Sequence, residues 1–237
     1  MMLRTLAEHV EVWTLHPERL AGLPLSVLSV DLDEDEQEQA RRFLNEDDRL
    51  AYVTAHALLR ALLSRHVPAT RAKDWRFDRP QRHGKPSIIG SDISFSLSHC
   101  KGLVAVALAK GQALGIDAEM WRAPAPREIA ARFFSGSERA MLASCPEAER
   151  DKMFYRIWTA KEAVAKATGQ GLSLHFPGFT VSLDPPTVTT RPQHSSPQDT
   201  WHLVLRDIGA RHVVALASPS MLPEIIFRDG EDLLRPP

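Results

Sequence analysis

The sequence predicts an α+β protein built in two halves, on three observations. Residues 39–67 carry apolar side chains at three- and four-residue spacing, and residues 93–109 then read as strands. The same order, helices and then strands, returns between residues 127 and 217. Between the two, Lys110-Gly111-Gln112 reads as a turn, which sets a boundary near 110–115 and divides residues 1–112 from 113–237.

In chain order, Val10–Leu15 reads as a strand, followed by a proline-punctuated connection. Asp31–Glu38 carries six acids, the solvated start of a helix, where carboxylates suit the positive end of the helix dipole. Gln39–Val67 reads as one helix, with Leu50, Val53, Ala57 and Ala61 on one stripe, Leu58 and Leu62 widening it, and Pro68 just past its end. Ile93, Phe95 and Leu97 alternate with Ser94, Ser96 and Ser98, which predicts a half-buried strand with a hydroxyl-bearing face. Cys100-Lys101-Gly102 turns the chain into Leu103–Ala109, and Ala113–Glu119 is expected as the third strand of an antiparallel meander.

Pro124 and Pro126 precede a helix at about Arg127–Phe134, and Ser135 with Glu138 three residues on fits a capping box. Residues 151–168 form the clearest helix, ended by Gly169 and Gly171. Strands follow at Phe179–Leu183, Trp201–Arg206 and His212–Ala217, with Asp184–Asp199 as a Pro/Ser-rich loop.

Composition narrows the function. With 29 Lys+Arg against 30 Asp+Glu in 237 residues, the net charge of −1 argues against a general nucleic-acid binder but leaves room for a local basic site. The longest apolar run, Leu103–Ala109, is too short to span a membrane, and Glu8, His9 and Glu11 sit where a signal peptide needs apolar residues. The two cysteines, Cys100 and Cys145, lack metal-ligand spacing and read as thiols in a reducing compartment. A soluble cytoplasmic protein is expected.

Four patterns bear on chemistry. In Gly115-Ile116-Asp117-Ala118-Glu119, strand alternation puts Asp117 and Glu119 on one face. That pair is either a strand end running into solvent or a pair of hard oxygen ligands suited to Mg²⁺. In the helix 151–168, Phe154, Ile157, Trp158, Lys161 and Ala165 fall on one face, with Glu162 at its margin and Lys166 further round. Glu162 and Lys166 therefore either reach into a cleft or form an exposed pair worth about 0.3–0.5 kcal/mol. Ser98-His99, at a strand end beside a glycine turn, is either a phosphate contact or a structural histidine. Gly84-Lys85-Pro86 follows Arg79 and Arg82 in a basic loop that lacks a P-loop pattern, and Arg41, Arg42, Arg49 and Arg60 add a basic helical face.

Taken together and in order, these patterns resemble the Sfp-type 4′-phosphopantetheinyl transferases. The resemblance runs through Gly84-Lys85-Pro86, Phe95-Ser96-Leu97-Ser98-His99, Gly115-Ile116-Asp117-Ala118-Glu119, and Arg132-Phe133-Phe134-Ser135 with Glu138. It continues with Trp158-Thr159-Ala160-Lys161-Glu162, Lys166, Gly169-Gln170-Gly171-Leu172 and Phe179, spanning roughly residues 40–182. It implies transfer of the 4′-phosphopantetheine arm of coenzyme A onto a serine of an acyl or peptidyl carrier protein, with release of 3′,5′-ADP and dependence on Mg²⁺.

The resemblance also implies a pseudo-dimer of two similar lobes, each a small antiparallel sheet packed with helices, with coenzyme A in the cleft between them. Residues 1–112 would form the adenosine side and 113–237 the metal and catalytic side of a monomer that needs neither nucleic acid nor membrane. Residue by residue it makes Asp117, Glu119 and Glu162 the Mg²⁺ ligands, and Glu162, Lys166 and Asp117 the catalytic set. It places Lys85, Pro86, Ser98, His99 and Lys166 on coenzyme A. Arg42 and Arg60, with Arg49, are assigned to the 3′-phosphate, because Ala51 stands where an arginine is expected. Glu162 or a water takes the serine proton. A metal-dependent nuclease and a non-catalytic coenzyme A or carrier-binding module are the alternatives. The nuclease is disfavoured by the net charge and by the helical Glu162/Lys166 spacing, the binding module by the intact acids and lysine.

Overall fold

The computed structural model describes residues 6, 8–20, 22–78 and 84–235, Leu172 by its backbone alone. The chain divides into two compact units, the first drawn from Met1–Arg79, Pro86–Gly111 and Pro223–Pro237, the second from Pro80–Lys85 and Gln112–Leu222. The first unit begins with β1 (His9–Leu15), α1 (Leu25–Leu28), α2 (Glu34–Arg41) and α3 (Glu46–His66). It continues with β2 (Phe77–Asp78), β3 (Ser87–Ile88), β4 (Ile93–Cys100) and β5 (Leu103–Lys110). The second unit holds β6 (Gly115–Met120), α4 (Arg127–Phe133), α5 (Gly136–Ser144) and α6 (Glu147–Thr168). After these come β7 (Thr180–Leu183), β8 (Pro186–Thr190), β9 (His202–Ile208) and β10 (His212–Ser218). The chain then returns to the first unit with β11 (Glu224–Asp229) and α7 (Glu231–Leu234). The fold is α+β, and among the described residues no helix is long and apolar enough to cross a membrane.

In the first unit the sheet order is β11-β1-β5-β4. β5 is central and apolar on both faces, which is why Leu103–Ala109 reads as a continuous hydrophobic run. β1 and β4 flank it antiparallel, and β11 adds to β1 in parallel. The sheet packs on α3, with Phe95, Val106 and Leu108 sharing a core with Val53, Leu58, Leu59 and Leu62.

Several expectations are corrected here. Gln39–Val67 is two helices, because the Asn45 side chain accepts the Asp48 amide at 3.1 Å and caps a new helix after a break that leaves Leu44 fully exposed. The acidic start of α2 is a capping box on Asp33, and Glu36, expected in solvent, is 2% exposed. The hydroxyl face of β4 is covered at Ser96 and Ser98. The expected meander is a β4–β5 hairpin only, since after Gly111 the chain enters the second unit and β6 pairs with β10.

The second unit has a sheet of order β6-β10-β9 with α6 against β6 and β10. The Ser135/Glu138 capping box forms, and Gly169, with φ of 71°, ends α6 in the left-handed region. The Pro/Ser-rich stretch after Asp184 contains β8, paired with β7.

Candidate active site

The face of β6 that carries Gly115, Asp117 and Glu119 lies on α6. A Cβ at Gly115 would overlap the Ala163 carbonyl oxygen and the Ala167 amide nitrogen, so only glycine lets strand and helix approach this closely. Two residues on, Asp117 is buried and accepts from Lys166 Nζ at 2.7 Å. Two further, Glu119 Oε1 accepts from Trp158 Nε1 at 3.2 Å. Trp158, Glu162 and Lys166 recur every four residues, one stripe of α6 that runs along the acidic face of β6.

The electrostatics follow from this crowding. Burial pushes the Glu162 carboxyl up, Asp117 pushes it further and Lys166 only partly offsets them, leaving it at about 7. Glu119 also reaches about 7, raised by burial and by Asp117 against the opposing effects of Trp158, Arg122 and Lys166. Lys85 donates to the Leu114 carbonyl, and burial with the neighbouring Lys166 lowers its ammonium to about 8. Asp117, Glu119, Glu162, Lys166 and Lys85 thus all belong to one electrostatically coupled group in the second unit.

Among the described residues no group of three or more His, Cys, Asp and Glu side chains is gathered closely enough to hold a metal ion. The donor chemistry fits Mg²⁺, since all three side chains offer carboxylate oxygen, and Asp117 acts on both buried glutamates as a neighbouring like charge. Asp117, Glu119 and Glu162 are the residues that would hold it.

Aromatic packing around Trp158 was not read from the sequence. Its ring stacks on Phe176 at 5.9 Å and meets Phe133 edge-on at 5.6 Å, so the indole N–H is held toward Glu119. Lys161 and Glu138 form a fully buried pair at 2.8 Å, with Lys161 also donating to the Phe179 carbonyl and Glu138 accepting from the Val181 amide. That network joins α5, α6 and the start of β7, and so fixes the helix that carries Glu162.

The remaining sequence candidates lie in the first unit. Ser98 and His99 end β4, Ser98 buried and His99 against the rings of Tyr52 and Phe43. Pro86 is exposed, and Arg42 is exposed with its Nε 3.6 Å from Glu38. Arg49 donates to the Phe43 carbonyl. Arg60 is corrected: it is 0% exposed, bonded to Asp33, Glu36 and the carbonyls of Ala72 and Trp75, and is a core cation instead of a phosphate ligand. Arg79 and Arg82 lie outside the described residues.

The model of the 4′-phosphopantetheinyl transferase superfamily matches residues 113–217, the stretch that holds the acids and Lys166. A solved holo-(acyl-carrier-protein) synthase from Bacillus anthracis is similar over 44% of this chain and 92% of its own, at 21% identity and a TM-score of 0.36. HetI from Nostoc sp., a 4′-phosphopantetheinyl transferase, is 33% identical over 177 residues, 72% of this chain and 73% of that protein. The 4′-phosphopantetheinyl transferase Sfp of Bacillus subtilis is 32% identical over 205 residues, 84% of this chain and 88% of its own. The chain belongs to the 4′-phosphopantetheinyl transferase superfamily. It is an enzyme of that class, and the matched stretch of this transferase is the one in which β6 and α6 bring the carboxylates and Lys166 together.

Proposed function

We propose that this transferase moves the 4′-phosphopantetheine arm of coenzyme A onto a serine of an acyl or peptidyl carrier protein, releases 3′,5′-ADP and requires Mg²⁺. The observation that carries the reading is the β6–α6 group, three coupled carboxylates with Lys166 bound to Asp117 at 2.7 Å, in a chain of this superfamily. When bound, Mg²⁺ would supply charge neutralisation for the pyrophosphate. Asp117, Glu119 and Glu162 would hold it, and Trp158 keeps Glu119 oriented.

In the reaction the carrier serine oxygen bonds to the β-phosphorus, and the bond from that phosphorus to the bridging oxygen breaks. Glu162, or a water, takes the serine proton. Lys166 stabilises negative charge growing on the phosphoryl oxygens, with Asp117 setting its direction. Lys85, Pro86, Ser98, His99 and Arg42 contact coenzyme A. Residues 1–112 serve the adenosine side and residues 113–237 the metal and catalytic side. The enzyme works as a cytoplasmic monomer without nucleic acid or membrane.

The test is intact-mass spectrometry of apo acyl and peptidyl carriers incubated with the protein, coenzyme A and Mg²⁺. The expected result is a gain of one phosphopantetheine arm, abolished by chelation and restored by Mg²⁺. Coenzyme A binding without transfer to any carrier would replace the reading with a binding module, and transfer in metal-free protein would remove the metal.

A further inference from the structure

We infer that Tyr52 is a positioning residue for His99, holding its imidazole in one orientation through a braced set of aromatic rings. The inference rests on the reading of His99 as a coenzyme A phosphate contact. On β4, Phe95, Leu97 and His99 share a face by strand alternation, and Phe95 and Leu97 join the apolar cluster of α3. At His99 the neighbours change from aliphatic side chains to rings. Its imidazole stands perpendicular to Tyr52, at 6.0 Å and 87°, and nearly perpendicular to Phe43, at 6.3 Å and 72°. Tyr52 and Phe43 touch each other at 5.2 Å, so two rings from different segments limit rotation of the imidazole plane.

Each of those rings is itself anchored. Phe43 sits in the break between α2 and α3, where Arg49 Nη2 donates to its carbonyl at 2.9 Å. Tyr52 lies one helical turn before His56, and their rings meet at 4.3 Å. His56 Nδ1 is 3.0 Å from Glu36 Oε1, and Glu36 accepts from the buried Arg60 Nε at 2.8 Å. The line from Arg60 through Glu36, His56 and Tyr52 to His99 carries the rigidity of the core to a strand end.

A group that acts by aiming a phosphate contact changes coenzyme A binding and leaves the chemical step alone. One edge-to-face ring contact of this kind corresponds to about 2- to 12-fold in affinity. Steady-state kinetics on the full chain should therefore be compared for Tyr52→Leu, Tyr52→Phe, His99→Ala and the double variant Tyr52→Leu/His99→Ala. Tyr52→Leu is expected to raise KM for coenzyme A about 3- to 10-fold, with kcat and KM for the carrier within about twofold. Tyr52→Phe, which keeps the ring, stays within about twofold of the parent. The double variant matches His99→Ala alone, since Tyr52 acts only through His99.

NMR supplies a readout apart from turnover. The His99 imidazole protons keep their ring-current shifts in Tyr52→Phe and lose them in Tyr52→Leu. Should Tyr52→Leu fail to fold, Tyr52→Met takes its place. An unchanged KM in Tyr52→Leu beside a raised KM in His99→Ala overturns the inference and leaves the phosphate contact standing. So does additivity in the double variant, which would put Tyr52 on coenzyme A itself, or a Tyr52→Phe variant as impaired as Tyr52→Leu. An unchanged KM for coenzyme A in His99→Ala removes the phosphate contact first, and the positioning role with it.

Discussion

Lys166 Nζ lies 2.7 Å from Asp117 Oδ1, so the ammonium of α6 is aimed by a buried carboxylate of β6. Removing that ammonium takes away a charge fixed beside the proposed reacting phosphate and leaves Asp117 without its lysine. Lys166→Ala is expected to lower kcat by about 10²- to 10³-fold while KM for coenzyme A moves less. Steady-state kinetics decide it, and an unchanged kcat in folded protein rejects the role.

Glu162 should show opposite effects on activity and stability. Its folded carboxyl stands at about 7, above the ordinary 4.5, so ionisation in the fold is penalised as pH rises through 4.5 and the penalty is complete above 7. Glu162→Gln removes the penalty together with a proposed metal ligand. At pH 8 in chelator the variant should melt higher by about 6–12 °C, the shift that roughly 3 kcal/mol gives at this size, with turnover abolished in saturating Mg²⁺. Thermal melts and the carrier mass assay check the two halves separately, and near-normal turnover in folded variant would take Glu162 out of the essential set.

The alternation that puts Asp117 and Glu119 on one face, and the Ser135/Glu138 box, were legible because both depend on local periodicity. What depended on distant partners was not. Arg60 reads as part of a basic helical face, yet Asp33, Glu36 and two carbonyls enclose it, and only tertiary packing reveals that. β6 follows β5 closely in sequence, but its partner is β10, about a hundred residues on. β11 was missed because the strand it joins, β1, is at the other end of the chain. The indole bond to Glu119 was hidden for the same reason: Trp158 looks like a core residue until the strand opposite it is known.

Gly115 tests the closeness of β6 and α6. A methyl group there meets backbone atoms of Ala163 and Ala167, which cannot swing aside as a flexible side chain would. Gly115→Ala is expected to destabilise the fold by about 3 kcal/mol and to separate Asp117 from Lys166. Urea denaturation and turnover should fall together. A variant as stable as the parent would mean that strand and helix can part at little cost.

The buried Lys161–Glu138 pair sets a different stability test, since both side chains are fully enclosed. Lys161→Met leaves the buried Glu138 carboxyl without its counter-ion, at a cost of about 3–5 kcal/mol. Glu138→Leu/Lys161→Met removes both charges, and its loss should be well below the sum of the single losses. Denaturant midpoints for the three variants give the coupling directly, and additivity would show that the pair contributes nothing as a pair.

Acid stability should be governed by the first unit. Burial raises the Glu11 carboxyl, but hydrogen bonds with His66, Trp13 and His9 outweigh it and bring it from 4.5 to about 2. For Glu36 burial is likewise overcome, by His56 and Arg60, and it also ends at about 2. Because both folded values lie below the unfolded one, the unfolded chain binds more protons as pH falls below 4.5. The stabilisation is therefore complete above pH 4.5 and is lost progressively as pH drops toward 2, at about 3 kcal/mol for each carboxylate. Glu11 also lies 3.5 Å from Arg228 of β11, so its protonation should loosen the C-terminal strand as well. Urea midpoints measured between pH 6 and pH 3 should fall steeply below 4.5, and Glu11→Gln and Glu36→Gln should each be less stable at neutral pH with a shallower acid slope. If the acid slope of the parent survives in both variants, the two carboxylates are not its source.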